Sequence, residues 1–219
     1  MPFSPLIFAL LGSTLLCTTW FGMMYFAAVP LMPGLAVLDD REYLLAFQAI
    51  DGVFQRFPPC KLGIFNHLIL LCALQLELCF IKIANSHLIS FGSVIMGVWF
   101  GSLFVLILAV YLAHQERYRR GNDSVRMDLL AVALTFYLAG HITTIAFNVP
   151  LNDHIQALDL QQLSKEQLSK ERDNFEDTWN FWNVFRVVTE FVTCCCLLVT
   201  LMWLDRKRCF FKSDNDKKE

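Results

Sequence analysis

The chain has 219 residues, of which 56% are hydrophobic, and a formal net charge of −2. Its mean hydropathy of +0.47 and its long apolar runs exceed what a soluble core requires, which predicts an all-α, multi-pass transmembrane helical bundle in a lipid bilayer. The composition excludes a nucleic-acid-binding surface, because the basic residues flank apolar segments and no motif for reading DNA or RNA accompanies them. A homo-oligomer is left open.

Apolar segments recur along the whole chain, and five of them could cross about 30 Å of hydrocarbon at about 1.5 Å per helical residue. They are residues 5–30, 62–84, 88–112, 127–148 and 180–204. The first is too long for a signal peptide and no Lys or Arg precedes it. Residues 62–84 include the most polar and charged side chains, so four crossings are the alternative. The sequence therefore predicts one membrane domain over residues 1–219, with four to five spans.

An amphipathic helix is predicted at residues 39–57, after the first span. Asp39 followed by Glu42 is typical of a helix N-cap. Met32-Pro33-Gly34-Leu35 ends the preceding span, and Pro58-Pro59 ends this helix. Apolar side chains recur at spacings of four and three residues, at Tyr43, Phe47, Ile50, Phe54 and Phe57. We expect an interfacial helix that docks on the bundle, with a lid at the bilayer surface as the alternative.

Basic residues between the spans indicate an orientation. If all five segments cross, residues 31–61, 113–126 and the basic tail 205–219 share one side, which then has thirteen Lys and Arg against four on the other. This bias predicts an outside N-terminus and a cytoplasmic C-terminus. Residues 153–179 form an acidic, solvated loop in which Gln-Leu-Ser-Lys-Glu occurs twice, which predicts a short surface helix acting as a cap or spacer.

Patterns for metals and cofactors are absent from the sequence. The eight cysteines include no Cys-x-x-Cys and no Cys/His spacing that suits zinc, so we predict neither a metal site nor a disulfide framework. The five histidines form no recognisable ligand set, although His67 and His141 could in geometry hold a haem across two helices. No nucleotide or flavin fingerprint occurs, and we predict no cofactor.

Polar side chains inside the apolar segments are the candidate functional residues. A charge at mid-bilayer costs about 2.5–3.5 kcal/mol on insertion scales, so Arg186 and Glu190 should face each other, a cavity or the interface. Asn183, Arg186 and Glu190 follow i, i+3, i+7 spacing on one helix face, and His141 and Asn148 share a face of the preceding span. We predict that the two faces converge on one pocket.

Structural explanations compete with this pocket. Arg186 and Glu190 are also an i,i+4 pair that can neutralise itself within one helix. Asn148 and Asn152 flank Pro150, where their side chains could satisfy backbone groups freed at the end of the helix.

Four motifs together resemble the DUF1772 integral membrane family, which includes the anthrone oxygenases. They are Met32-Pro33-x-Leu35, Gln48-x-Ile50, Phe147-Asn148-Val149-Pro150-Leu151-Asn152 and Trp182-Asn183-x-x-Arg186. The resemblance covers both ends of the chain well and the middle poorly. It implies four spans, with the Met-Pro turn and the Asn-Val-Pro-Leu-Asn motif on the same side, whereas five crossings would separate them.

The resemblance implies a cofactor-free oxidation of an apolar polycyclic substrate at a methylene between two aromatic rings. Trp182 would stack on the substrate, and Asn148, Asn152, Asn183 and Arg186 would donate hydrogen bonds to the oxyanion. The position of His141 or Glu190, rather than the family motif, makes either the candidate base. The alternative is a non-catalytic membrane protein that binds a lipid, a quinone or a partner helix, for which Gly97-x-x-x-Gly101 would allow close helix contact.

Overall fold

A computed structural model describes the backbone of residues 4–55, 91–120 and 125–216, and the side chains of residues 4–53, 97–119 and 125–206. The predicted span at 62–84, His67, Phe57 and Pro58-Pro59 lie outside the described residues. The described part is helical with short connections and contains no strand, which confirms the predicted all-α bundle.

Each described run of consecutive helical elements extends past the C-terminal end of the apolar segment that predicts it. Four of the described segments are long and apolar enough to cross a membrane: Pro5–Leu35, Gly97–Arg119, Met127–Ala157 and Lys165–Arg206. The elements in chain order are α1 (Pro5–Phe26), a π-helical turn (Ala27–Leu31), α2 (Met32–Leu35), α3 (Asp40–Gln55), α4 (Phe91–Arg120), α5 (Met127–Thr143), a second π-helical turn (Thr144–Asn148), α6 (Val149–Ala157) and α7 (Lys165–Asp216).

Contacts between the spanning helices show that α1 and α5 each run antiparallel to α4 and α7. The pairs that fix these directions are Gly12 with Val105, Trp20 with Trp99, Ser102 with Tyr137, Trp99 with His141, Thr18 with Cys194, Phe21 with Phe191, Ala133 with Thr193, and Thr144 with Arg186. Residue 4, the C-terminal end of α4, the N-terminal end of α5 and residue 206 therefore lie at one end of the bundle. We call this end the basic end.

The opposite end, which we call the capped end, carries α2, α3, α6 and the start of α7. Met32 of the Met-Pro turn and Ile155, which follows the Asn-Val-Pro-Leu-Asn motif, belong to one buried cluster there. The two motifs thus lie on the same side, as the family resemblance implies. An odd number of crossings between residues 56 and 90 would instead place them on opposite sides. Because α1 and α7 are antiparallel, the N-terminal end of α1 and residue 206 of α7 lie on the same side. The distribution of basic residues predicted an outside N-terminus and a cytoplasmic C-terminus, on opposite sides.

Helix α3 docks on the bundle at the capped end. Its backbone begins at an N-cap, since the Glu42 N–H donates to Asp39 Oδ1 at 2.9 Å. Tyr43 and Phe47 are buried in edge-on contact with Phe175 of α7. Burial raises the pKa of the Tyr43 phenol far above its ordinary value, which keeps the ring neutral. The part of the apolar stripe formed by Tyr43 and Phe47 is therefore a packing surface.

One arginine fastens the chain that connects α2 to α3. Arg172 of α7 donates to the carbonyl oxygens of Leu38 at 2.8 Å and Ala36 at 3.0 Å, and pairs with Asp40 at 3.2 Å. Its guanidinium carbon lies 4.4 Å from the centre of the Tyr43 ring. These contacts satisfy carbonyl groups left free at the end of a helix.

In the predicted acidic loop at 153–179, the helix predicted at the Gln-Leu-Ser-Lys-Glu repeat is the start of α7 rather than a separate short surface helix. Residues 153–157 complete α6, and α7 begins at Lys165. Leu168, Phe175 and Trp179 supply a buried stripe against α3, so packing extends the last helix beyond the bilayer. The predicted tail is also helical as far as Asp216.

Small residues on α4 serve contacts within the chain. A Cβ at Gly101 would lie 3.9 Å from Leu16 on α1, and Ser102 is fully buried beside Tyr137 of α5. A Cβ at Gly97 would meet nothing within 4 Å. The Gly97-x-x-x-Gly101 spacing predicted a close helix contact, and at Gly101 this contact is made with α1 of the same chain.

Candidate ligand site between α5 and α7

Five of the seven predicted site residues are buried where α5 and its π-helical turn cross α7. They are Asn183 at 0% exposure, Glu190 at 1%, Asn148 at 2%, and His141 and Arg186 at 6% each. Gly140 permits this close crossing, because a Cβ there would lie 2.8 Å from Thr189 Oγ1 and 3.3 Å from Glu190 Oε1. The two polar faces predicted from the helical spacing therefore do converge.

Arg186 is held by neutral partners. Its Nη2 donates to Asn183 Oδ1 at 2.6 Å, and its Nη1 donates to Thr144 Oγ1 at 3.4 Å. The guanidinium carbon lies 5.6 Å from the centre of the Trp179 ring, within range of a cation–π contact. Within the described part of the chain, no nitrogen–oxygen contact under 4 Å joins Arg186 to Glu190. Arg186 and Glu190 therefore do not form the direct i,i+4 ion pair that was the structural alternative.

His141 is stacked among aromatic rings next to Glu190. The centres of the Tyr137 and Trp99 rings lie 4.2 Å and 5.3 Å from its imidazole. Its Nδ1 donates to the Tyr137 carbonyl oxygen at 2.9 Å and lies 3.9 Å from Glu190 Oε1. Because a carbonyl oxygen can only accept, Nδ1 carries the hydrogen, and the lone pair of the neutral ring is on Nε2.

Buried polar atoms without a hydrogen-bond partner are concentrated at this crossing. In the described part of the chain they include three donors, at Trp99 Nε1, Asn183 Nδ2 and Arg186 Nε, and three acceptors, at His141 Nε2, Asn148 Oδ1 and Glu190 Oε2. Each such group costs about 1–3 kcal/mol when left unpaired. A stable fold rarely keeps six in one place unless another molecule satisfies them, so the crossing is the candidate ligand site.

The two asparagines that flank Pro150 bond to other helices. Asn148 Nδ2 donates to the Trp179 carbonyl oxygen of α7 at 3.5 Å. Asn152 Nδ2 donates to Asp51 Oδ1 of α3 at 2.7 Å, and its Oδ1 accepts from Trp179 Nε1 at 2.8 Å. The helix continues past them to Ala157. Local capping therefore does not explain these side chains, and Asn152 lies at the capped end rather than among the unpaired atoms.

The structure does not bring Trp182 into the site. Its indole stacks on Phe147 with ring centres 3.9 Å apart and an interplanar angle of 5°. Phe181 and Phe185 border this stack and are exposed on the bundle surface. Trp182 thus lies at the outer edge of the α5–α7 crossing, beside the exposed rings of Phe181 and Phe185.

The aromatic rings that do border the site are Trp20, Trp99, Tyr137 and Trp179. Trp20 and Trp99 stack with ring centres 5.8 Å apart, and Trp20 is also a polar neighbour of Glu190. Trp179 lies four residues before Asn183 and seven before Arg186, so the same helical spacing that identified those residues also indicates Trp179. Trp20 and Trp99 carry no such signal, since only the packing of α1 and α4 brings them here.

The fold and the site define a class: an integral membrane helical bundle with a buried polar site between two of its spans. The sequence model of the anthrone oxygenase family matches residues 87–196, and the chain belongs to that family, as its resemblance to DUF1772 proteins predicts. The match includes α5 and the candidate site but not α1 to α3. No curated protein and no solved structure matches the chain.

Proposed function

We propose that this chain is a cofactor-independent oxygenase that oxidises an apolar polycycle of the anthrone type within the membrane. The family supports the substrate class. The observation that carries the proposal is the set of six unpaired polar atoms at the α5–α7 crossing, which offers hydrogen-bond donors and a base to one bound molecule. Cofactor-free oxidation needs both.

The donors and the candidate bases occupy successive levels of the crossing. Arg186 and Glu190 are one helical turn apart, about 6 Å along the axis of α7. An anthrone carries its carbonyl group and its acidic methylene at opposite corners of the central ring. Arg186 Nε and Asn183 Nδ2 would donate to the carbonyl oxygen as it becomes an oxyanion, while His141 Nε2 or Glu190 Oε2 faces the methylene.

The reaction consumes oxygen as its only oxidant. The base takes one methylene proton, and the resulting enolate gives its electrons to O₂ and forms a carbon–oxygen bond at that carbon. The hydroperoxide then loses its remaining carbon-bound proton as the O–O bond breaks, which leaves a ketone and releases water. One anthrone and one O₂ thus give one anthraquinone and one water, so the four electrons that reduce O₂ come from the substrate.

The aromatic surroundings suit this chemistry. The rings of Trp20, Trp99 and Trp179 place apolar surface beside the polar atoms, where an enolate is shielded from bulk water. Hydrogen bonds to a developing charge are stronger in such a medium than in water. A planar polycycle dissolved in the bilayer would reach the site from lipid.

Turnover by the purified protein tests the proposal. We expect anthrone to be converted to anthraquinone with matching oxygen uptake, and we expect Asn183→Ala and Arg186→Met each to lower kcat about 10²-fold or more through loss of an oxyanion donor. Thr200→Ala is the control and should keep full activity, because within the described residues the buried hydroxyl that it removes bonds to Cys196 of its own helix. Absent turnover contradicts the oxygenase, and binding retained without turnover favours the non-catalytic binder.

We further propose that the basic end of the bundle is cytoplasmic. Arg117, Arg119 and Arg126 lie there, as does Arg206 at the start of the basic tail, whereas the capped end has an acidic excess between residues 153 and 177. The bias of Lys and Arg toward the cytoplasm supports this orientation. Cysteine labelling from outside should then modify a cysteine placed at Asp159 and spare one placed at Arg126; the reverse pattern would invert the bundle.

A further inference from the structure

Asp51 is a buried carboxylate on α3, with 6% of its surface exposed. It accepts hydrogen bonds from Asn152 Nδ2 at 2.7 Å and from Gln156 Nε2 at 3.1 Å. Gln48 also attaches α3 to this end of the bundle, donating to the carbonyl oxygens of Ile155 at 2.7 Å and Leu158 at 3.1 Å. The contacts of Asp51 reach further, because its partner Asn152 also accepts a hydrogen bond from Trp179 of α7.

The carboxylate of Asp51 decides which way the Asn152 amide faces. An ionised carboxylate only accepts, so it must face the Nδ2 side of the amide. The Oδ1 side is then directed to Trp179, whose Nε1 only donates, at 2.8 Å. Because both of its partners are restricted in this way, the Asn152 amide has one satisfied orientation.

Trp179, which bonds to Asn152, also contacts two residues of the ligand site. Its ring centre lies 5.6 Å from the Arg186 guanidinium carbon, and its carbonyl oxygen accepts from Asn148 Nδ2 at 3.5 Å. A change in the tilt of the indole would alter the surface on which the guanidinium rests. Asp51, Asn152 and Trp179 thus form a continuous chain of contacts from α3 to Arg186.

We propose that Asp51 is a positioning residue of the ligand site: through Asn152 its carboxylate fixes the Trp179 indole against Arg186, so that this side chain, rather than the docking of α3 as such, sets the affinity of the site. This rests on the proposed function only for the identity of the ligand. The contacts to Arg186 do not depend on it.

The test exchanges the two polar side chains. Asn152→Asp places two carboxylates together, and Asp51→Asn removes the charge that orients the amide. The double variant Asp51→Asn with Asn152→Asp restores these three bonds, since Asn at 51 can donate to Asp at 152 and accept from Gln156, and Asp at 152 keeps an acceptor for Trp179 Nε1. Gln48→Ala is the matched control, because it weakens α3 docking without touching this chain.

The readout is ¹⁹F NMR of protein that contains 5-fluorotryptophan, with the Trp179 resonance assigned from Trp179→Phe. We expect that resonance to move in Arg186→Met, in Asn152→Asp and in Asp51→Asn, to return in the double variant, and to stay in place in Gln48→Ala. Anthraquinone affinity should fall at least tenfold in Asn152→Asp and recover to within threefold in the double variant.

A Trp179 resonance that ignores both single substitutions, or that the double variant fails to restore, overturns the proposal. A purely structural role would lower the thermal stability of the single variants and leave the anthraquinone affinity per folded molecule unchanged, even though Asn152→Asp changes the hydrogen-bond partner of Trp179 Nε1. If anthraquinone fails to bind even the native protein, the proposed function is contradicted, and the resonances still decide whether Asp51 positions Trp179.

Discussion

Polar side chains are buried in two neighbouring regions of this protein, and the regions differ in how fully those side chains are paired. At the capped end, Gln48, Asp51, Asn152 and Gln156 exchange hydrogen bonds of 2.7–3.1 Å among themselves and with backbone carbonyl groups. At the α5–α7 crossing, five residues of α5, its π-helical turn and α7 keep an unpaired polar atom each: His141, Asn148, Asn183, Arg186 and Glu190.

The difference separates attachment from ligand binding. A fully paired network contributes to holding α3, and any further polar molecule would have to break existing bonds. An incompletely paired network is destabilising until something binds to it, and this is typical of a functional site kept ready for its ligand. Trp179 touches both regions, so changes in either one can be compared through the same residue.

The largest expected contrast is between two arginines of α7. We expect Arg186→Met to lower turnover about 10²–10³-fold with unchanged or higher thermal stability, because the removed charge is buried and incompletely paired. Arg172→Met should instead lower the free energy of unfolding by about 1.5–3 kcal/mol, since its bonds are satisfied, and keep turnover per folded molecule. Thermal unfolding in detergent and oxygen uptake measure both, and equal effects of the two substitutions would erase the distinction between the regions.

Two glycines give the next contrast. Gly140→Ala places a Cβ 2.8 Å from Thr189 Oγ1 and 3.3 Å from Glu190 Oε1, so these side chains or the two helices must shift at the site. We expect about a tenfold loss of kcat/KM and about 1–3 kcal/mol of destabilisation. Gly101→Ala meets only Leu16 at 3.9 Å and should change neither quantity appreciably. Full activity of Gly140→Ala would show that the crossing need not be this close.

A smaller effect is expected from Gln48→Ala at the capped end. Loss of its bonds to the end of α6 should lower the free energy of unfolding by about 1–2 kcal/mol and increase hydrogen exchange in α3. Turnover per folded molecule should stay within twofold. If turnover falls with exchange in parallel, the paired network is part of the chemistry rather than its support.

The smallest effect is expected from Trp182→Ala. Its stack on Phe147 lies at the outer edge of the α5–α7 crossing, so KM for anthrone should change less than twofold, with at most about 1 kcal/mol of lost stability. A KM raised tenfold or more would return Trp182 to the substrate-stacking role that the family resemblance implies.

The spacing of residues in the sequence predicted most of the polar residues of the site and fewer of the aromatic residues that surround them. The i, i+3, i+7 spacing of Asn183, Arg186 and Glu190 correctly placed them on one face, because helical periodicity is local. The same stripe reaches Trp179, whereas Trp182 is one residue, about 100° around the helix, from Asn183. Trp182 was predicted as a site residue because it belongs to the Trp182-Asn183-x-x-Arg186 motif, whereas the helical geometry of α7 does not place it on the face of Asn183.

Other features depend on tertiary packing that no local pattern carries. Trp20 and Trp99 reach the site because α1 and α4 pack closely, with Gly12 at a point where a Cβ would lie only 3.3 Å from Val105. The short surface helix predicted within 153–179 is the start of α7 because Leu168 and Phe175 find α3 to pack against, and a polar composition alone gives no sign of that partner. The capped end was predicted better, since the Asp39 cap and the Tyr43 and Phe47 stripe are local signals.

An experimental structure of the protein with bound anthraquinone is the most direct test of a ligand site at the α5–α7 crossing. We expect one quinone oxygen within about 3 Å of Arg186 Nε or Asn183 Nδ2, the ring system beside His141 and Glu190, and Arg186 still separate from Glu190. A quinone found only against Phe147 and Trp182, or an Arg186 paired directly with Glu190 over a site without ligand, would contradict it.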